Sequence, residues 1–514
     1  MIKAPTIRME RVSWLILVPV GLLVTAGILA IYATETQEGS GGAPHTLRQG
    51  IYLLASLIAM AVALAVPYQR IGRYTYLLFI LMLLLLVLLA LRRRPEFAFL
   101  NPIIPVVRGS ARWIRLGTSS LYFQLQPSEF MKVAFILALA RYLRFRENYR
   151  TLRGLMPPFL LTLLPMLLIL FQPDLGTVLL MLPVLFAMLY TAGARLAHLV
   201  LIVLLSTLAT PIAWRAMEPY QRNRILVLVG QLAPARDKLL ARHAVSSATR
   251  SAEGQAAVLP PVDLNWHERL ALAVLIPTFR EAQLLQKQDA MARQGPADAD
   301  VLPDPPAIPT RSLLLFKGRF DPDAQQDLQI RKWIAGRLTR LHRQQGYQLR
   351  HSKVAMGSGA MAGRGLWEGT YVRYGFLPDR HNDFVYAVLG HQWGMIGCVV
   401  VLLLYVLIIL GGVEVATAVD DPFGRLLVVG VIALLATQVF VNVGMTIGLM
   451  PITGMTLPFV SFGGSSLITN FVAIGLLINV SQHRPIRIAR RPFEFDHQVD
   501  EHPASLQRWL ETRR

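Results

Sequence analysis

The feature that most restricts this chain is a series of apolar runs, among them Leu77–Leu91, Leu160–Leu170 and Val399–Leu410. A helix of roughly 20 apolar residues crosses the hydrocarbon of a bilayer, and a single-chain segment there must satisfy its own backbone hydrogen bonds. About ten such spans are expected, near 13–33, 49–67, 74–91, 127–143, 157–172, 174–192, 198–215, 383–411, 425–448 and 465–482. The fold class is therefore an all-α polytopic membrane protein. Charged residues make up 16% of the 514, against about 25% in a soluble chain. The first run, Trp14 to Ala33, exceeds the roughly 7–15 apolar residues of a cleaved secretion signal, so it is read as the first helix of the mature protein. The gap between the fifth and sixth spans is short enough for a tight turn or a re-entrant segment.

Lys and Arg set the orientation, because loops rich in them stay on the cytoplasmic side. Lys3, Arg8 and Arg11 precede the first span. Arg70 and Arg73, then Arg141, Arg144, Arg146, Arg150 and Arg153, then Arg195, fall in alternate loops. Arg484, Arg487, Arg490 and Arg491 follow the last span. Both termini are thus expected in the cytoplasm, with Arg92, Arg93 and Arg94 as the exception. The expected layout is seven spans in 1–215, an extracytoplasmic loop at 216–382, three spans in 383–482 and a basic cytoplasmic tail at 483–514. Within the loop, 231–345 differs from its surroundings. It is rich in Ala, Gln, Arg, Asp and Pro, with amphipathic helices expected at His267–Gln288 and Gln325–Gln345. The net charge of +20 belongs to this loop pattern and not to nucleic-acid binding.

The single cysteine, Cys398, excludes an internal disulfide and a cysteine-based metal site. No Walker A sequence and no HExxH pattern occurs. The chemistry must come from ionisable residues at span ends, which are costly at membrane depth and so mark function by default. Glu129 and Lys132 share a helix face at i, i+3. Asp174, Arg112, Arg222, Arg224, Lys353, Arg380 and Asp383 are all expected on the outer side by span parity. The structural alternatives are an internal Glu129–Lys132 pair and Asp174 as a helix cap. Several cations with a few carboxylates suit an anionic substrate, with one carboxylate left for acid–base work. Bidentate Arg matches phosphate oxygens, and a diphosphate-linked lipid would carry its own leaving group. Gly363, Gly365 and Gly369 mark a mobile loop or plain turns. Gly463-Gly464-Ser465-Ser466 marks a re-entrant turn or a serine-capped helix start. Gln438 and Asn442 are expected to bond between helices, at about 0.6–2 kcal/mol each.

These residues lie in segments that resemble the SEDS family of RodA and FtsW. They are Gly109–Ile114, Phe123–Lys132, Gln172–Thr177, Tyr220-Gln221-Arg222, Ser352–Gly359, Phe376–Phe384 and Pro458–Ser466, in family order. Asn442–Leu449 and Asn470–Asn479 are more similar to RodA than to FtsW. The resemblance implies a peptidoglycan glycosyltransferase that polymerises lipid II by inverting transfer, with Asp383 as general base. It implies Arg112, Lys132, Arg222 and Lys353 as holders of diphosphate charge. Glu129, Asp174, Ser352, Arg380 and Ser465 complete the implied substrate-binding set. It implies a role in cell elongation and shape, and a class B penicillin-binding protein as partner. The implied location is the bacterial inner membrane, with the site facing the periplasm among membrane lipids. The one cofactor it leaves open is a divalent cation, Mg2+ or Mn2+. Two competing readings are a non-catalytic scaffold and a lipid II flippase. Four positions depart from the family pattern. His391-Gln392 stands for the usual pair of Glu, Asn382 for Thr and Phe462 for Tyr.

Overall fold

The structure is a computed structural model that describes residues 5–35, 45–92, 103–105, 111–117, 122–146, 150–172, 174–208, 347–366, 377 and 380–482. Among these the helices are α1 (Pro5–Glu35), α2 (His45–Ala65), α3 (Tyr68–Arg73), α4 (Thr75–Leu91), α5 (Pro127–Arg144) and α6 (Leu152–Phe171). They continue with α7 (Leu175–Ala192), α8 (Leu196–Leu208), α9 (Tyr347–Ser358), α10 (Val385–Ala418), α11 (Pro422–Ile447) and α12 (Gly464–Gln482). Seven of them, α1, α2, α6, α7, α10, α11 and α12, are long and apolar enough to cross a membrane. Helices α4 and α8 are apolar but shorter, and α5 carries Glu129, Lys132, Arg141 and Arg144. Together they occupy the ten expected spans.

Three elements go beyond the expectation. An antiparallel hairpin of β1 (Ile114–Gly117) and β2 (Tyr122–Leu125) precedes α5, so the fold is not purely helical. The short α3 links α2 to α4, and α9 lies in the segment ahead of α10. The fifth and sixth spans join by a tight turn at Gln172 and Asp174, with no re-entrant segment between them. The insertion 231–345, the tail 483–514, and Arg93, Arg94, Arg222 and Arg224 lie outside the described residues.

Burial separates the helices into a core and a rim. Every residue from Met131 to Ala140 of α5 is buried, and so is nearly all of α12. Helix α12 packs on α2, α11 packs on α5, α7 and α10, and α1 packs on α10. The rim helices turn large apolar side chains outward, including Leu54, Leu77, Leu160 and Leu208, each more than 60% exposed. A belt of that extent is stable only against lipid.

Helix α10 is broken at Gly394, where φ is 66° and ψ is −164°. A continuous helix would bond Met395 N to His391 O and Ile396 N to Gln392 O. Instead the loop after α9 enters the gap. Arg364 N donates to His391 O and Gly365 N to Gln392 O, while Met395 N donates to Ala360 O and Ile396 N to Met361 O. The four groups freed by the break are all paired again, as a low-dielectric setting requires. A Cβ on Gly394 would stand 2.4 Å from Gly363 N and Met361 O. Gly394→Ala is therefore expected to lower the thermal midpoint sharply, with about 1–3 kcal/mol from the positive φ alone. Gly357→Ala on α9, where nothing stands within 4 Å of a new Cβ, is the matched control and is expected to be neutral or mildly stabilising.

Candidate active site

Asp383 sits in the short segment that enters α10, and every residue of that segment from Arg380 to Asp383 is bonded to a distant part of the chain. Arg380 Nη2 donates to Thr34 O at 3.3 Å. The His381 ring meets Thr34 Oγ1 through Nδ1 at 2.9 Å, and its carbonyl accepts from Phe462 N at 2.9 Å. Ser461 Oγ donates to Asn382 O at 2.6 Å. Asn442 Nδ2, on the buried face of α11, donates to Asp383 O at 3.1 Å and to Met455 O at 2.6 Å. This carboxylate is thus carried on backbone held in place by bonds to α1, α11 and the 461–462 turn. One side of it is lined by backbone, since a Cβ on Gly454 would lie 3.3 Å from Asp383 Oδ2.

A second polar group gathers at the same end of the bundle. Asp174 caps α7 by accepting from Thr177 N at 3.3 Å and from Thr177 Oγ1 at 2.9 Å. It also accepts from Ser128 Oγ and Gln126 Nε2, both at 3.2 Å. Ser465 Oγ accepts from Gln126 N and donates to Gln124 O, both at 2.9 Å, so the start of α12 is tied to the start of α5. Arg112 Nε donates to Gln172 O at 2.6 Å. One turn into α5, Lys132 Nζ meets Glu129 Oε2 at 2.7 Å, with Lys132 only 2% exposed. The strip Thr453–Met455 joins the two groups. Its Met455 side chain fills the space where a Cβ on Gly176 would stand, and its Gly454 borders Asp383.

The geometry sorts the expected residues. Asp383, Asp174, Arg112, Glu129, Lys132 and Ser465 lie at one end of the bundle. Lys353 is exposed on α9. Ser352 is fully buried and donates to Thr446 O at 2.9 Å, so it pins α9 to α11 and does not face a substrate. Arg380 is 4% exposed and anchored on α1. Asp174 fills the capping role that was the structural alternative, and Glu129 with Lys132 forms the alternative pair. Asn442, expected to bond between helices, bonds instead to the carbonyls of two non-helical segments, at Asp383 and Met455. Gln438 Oε1 is buried with no hydrogen-bond partner among the described residues. His391 and Gln392 lie at the α10 break, with His391 Nδ1 2.7 Å from Ser358 Oγ. The Gly463–Ser466 segment is a helix start tied to β2 and α5.

Thr34, Glu35, His45 and His381 form a further polar group. Glu35 ends α1 and accepts from the first amides of α2, His45 N and Thr46 N, and from Thr46 Oγ1 at 2.6 Å. The His45 ring stacks on His381 with centroids 5.0 Å apart. Only the motif containing His381 hints at this group in the sequence, because its bond to Thr34 spans 347 positions.

Among the described residues no three His, Cys, Asp or Glu side chains are grouped to hold a metal. A divalent cation there would have to complete its coordination shell with water or substrate oxygens. A groove of about 630 Å³ between α7, α10 and α11, lined in part by Thr191, Thr417 and Arg425, lies toward the opposite end and shares no residue with the site.

A bundle of lipid-exposed helices with an anchored carboxylate and a set of ionisable groups at one end defines an integral membrane protein with a polar site at a membrane face. The chain belongs to the cell cycle protein family of FtsW, RodA and SpoVE, whose model matches residues 8–244 and 326–486. The unmatched stretch between them falls within the expected insertion. The chain is 30% identical over 475 residues to peptidoglycan glycosyltransferase RodA of Treponema pallidum, covering 91% of this chain and 97% of that one. It is 26% identical to peptidoglycan glycosyltransferase MrdB of Escherichia coli, covering 91% and 94%. A solved structure described as the structural coordination of polymerization and crosslinking by a peptidoglycan synthase complex matches with a TM-score of 0.57. It is 23% identical and covers 91% of this chain and 97% of that one. That likeness establishes the fold.

Burial, then the neighbouring Arg380 and His45, push His381 down from 6.5 to about 4. Between those values the unfolded chain binds the extra proton, so stability present above about pH 6.5 is lost as the pH falls toward 4. Thermal scans of wild type and His381→Asn at pH 7.5 and pH 5 are expected to show a smaller acid loss in the variant, by on the order of 1–2 kcal/mol. Equal losses would remove His381 as the titrating group.

Proposed function

We propose that this chain is a peptidoglycan glycosyltransferase that polymerises lipid II, with Asp383 as general base. The observation that carries the reading is a carboxylate whose supporting segment is bonded to α1, α11 and the 461–462 turn. Asp383 takes the proton from the acceptor sugar hydroxyl, and the freed oxygen attacks the donor's anomeric carbon. The bond to diphosphate breaks with its electron pair, and undecaprenyl diphosphate leaves. The donor is α-linked and the product β-linked, so a single displacement with inversion is enough.

Negative charge grows on the leaving diphosphate. Cations set nearby before the reaction stabilise that charge more than they stabilise the bound substrate. Arg112, Lys132, Arg222 and Lys353 are assigned that work, with Glu129 paired to Lys132 and with Asp174 and Ser465 ordering the start of α5 that carries it. Arg380 and Ser352 act from behind as supports. The Lys and Arg distribution supports a site on the outer face of the bacterial inner membrane. The likeness to a RodA supports a role in elongation. The likeness to a synthase complex that coordinates polymerization with crosslinking supports a class B penicillin-binding protein as partner.

Purified protein, alone and with a cognate penicillin-binding protein, is expected to polymerise lipid II. Asp383→Asn is expected to lose about 10²–10⁴-fold in rate at unchanged thermal midpoint. Equal rates would remove Asp383 as the base. No polymer from wild type, combined with transbilayer movement of lipid II in vesicles, would favour a flippase. No polymer and no movement would favour a scaffold.

A further inference from the structure

The Asp383 segment depends on one hydroxyl of α1. Thr34 is 1% exposed, in the last turn of its helix. Its Oγ1 lies 2.7 Å from Ile31 O and 2.9 Å from His381 Nδ1. A hydroxyl has one proton to give, and a carbonyl oxygen can only accept. The arrangement that satisfies both contacts sends the Thr34 proton to Ile31 O, so that Nδ1 carries the ring proton and donates back to Thr34 Oγ1. The same residue's carbonyl accepts from Arg380 Nη2. Two consecutive residues of the segment are therefore held by Thr34, across 346 and 347 positions of sequence.

The support beneath Thr34 is itself fixed. Glu35, the next residue, caps α2 and lies 3.3 Å from His45 Nδ1. His45 then covers the face of the His381 ring, and Phe462 packs edge-on against His45 at 5.1 Å. The ring can tilt little without losing the stack or the bond. With the His381 carbonyl also bonded to Phe462 N, a rotation about this residue would carry Asp383 with it.

We propose that Thr34 is a positioning residue for Asp383, acting through a hydrogen bond from His381. It touches no substrate in this scheme. Its kinetic consequence rests on Asp383 being the general base, whereas its effect on the segment's order does not.

The test separates the hydrogen bond from packing. Thr34→Val keeps the shape and removes the hydroxyl, while Thr34→Ser keeps the hydroxyl and removes a methyl. Thr25→Val is the control, because Thr25 Oγ1 bonds within its own helix, to Gly21 O at 2.9 Å. Amide exchange of the peptide covering 380–384 is followed by mass spectrometry in lipid nanodiscs, and lipid II polymerisation is followed in parallel. Thr34→Val is expected to speed that exchange about tenfold and to lower kcat about tenfold or more at near-constant KM. Thr34→Ser and Thr25→Val are expected to stay within about twofold of wild type on the same scale.

Wild-type exchange in Thr34→Val overturns the proposal, and so does equal damage in Thr34→Ser and Thr34→Val. If Thr34→Val does not fold, the bond is read from its other end. His381→Asn offers an amide donor near Nδ1 and is expected to keep slow exchange, while His381→Leu is expected to lose it. The reverse order, or no difference, overturns the proposal. If wild type makes no polymer, the proposed function fails, and the exchange results alone decide whether Thr34 orders the segment.

Discussion

A backbone amide in hydrocarbon finds no water, so each polar group of the chain must meet another part of the chain. That requirement shapes the whole structure. It makes the spans helical, and it makes the break at Gly394 tolerable only because the 359–365 loop supplies two donors and two acceptors at the missing rung. It acts again at the far end of the bundle, where α2 stops. Asn479 Nδ2 reaches the carbonyls of Ala63, Leu64 and Val66, and Asn479 Oδ1 accepts from Tyr68 N. One side-chain amide thus closes the turn between two helices.

The same scarcity of water makes the polar end of the bundle rigid. An ammonium as buried as that of Lys132 needs Glu129 beside it, because an unpaired buried charge costs several kcal/mol. Asp174 meets four donors on three residues, Gln126, Ser128 and Thr177, and each bond restricts the next. In the proposed reaction, a substrate with charged oxygens then meets groups whose positions are already determined. Little reorganisation remains at the moment of reaction, which is where such sites gain their effect.

Much of this was legible. Apolar run lengths located ten helices, because a bilayer favours long apolar helices over any other use of such runs. The Gln172–Thr177 segment announced a polar turn, and Asp174 is the cap there. What was not legible concerns pairings across long stretches of chain. Ser352 looks like part of a substrate motif beside Lys353, yet its hydroxyl faces α11. Arg380 looks like a substrate-facing cation, yet it is folded back on α1. The hairpin was missed because two strands of four residues carry no periodic signal strong enough to stand out.

The sequence by itself determined that the chain lives in a membrane, where its helices run, and which motif holds the acidic residue at the start of α10. These are local matters of composition, spacing and residue order. Only the tertiary structure decided what each polar group does: which carboxylate caps a helix, which cation is paired, and which hydroxyl of α1 steadies a segment 347 positions away. Hydrogen bonds act over about 3 Å, and a linear sequence carries no record of which distant atoms packing brings within that reach.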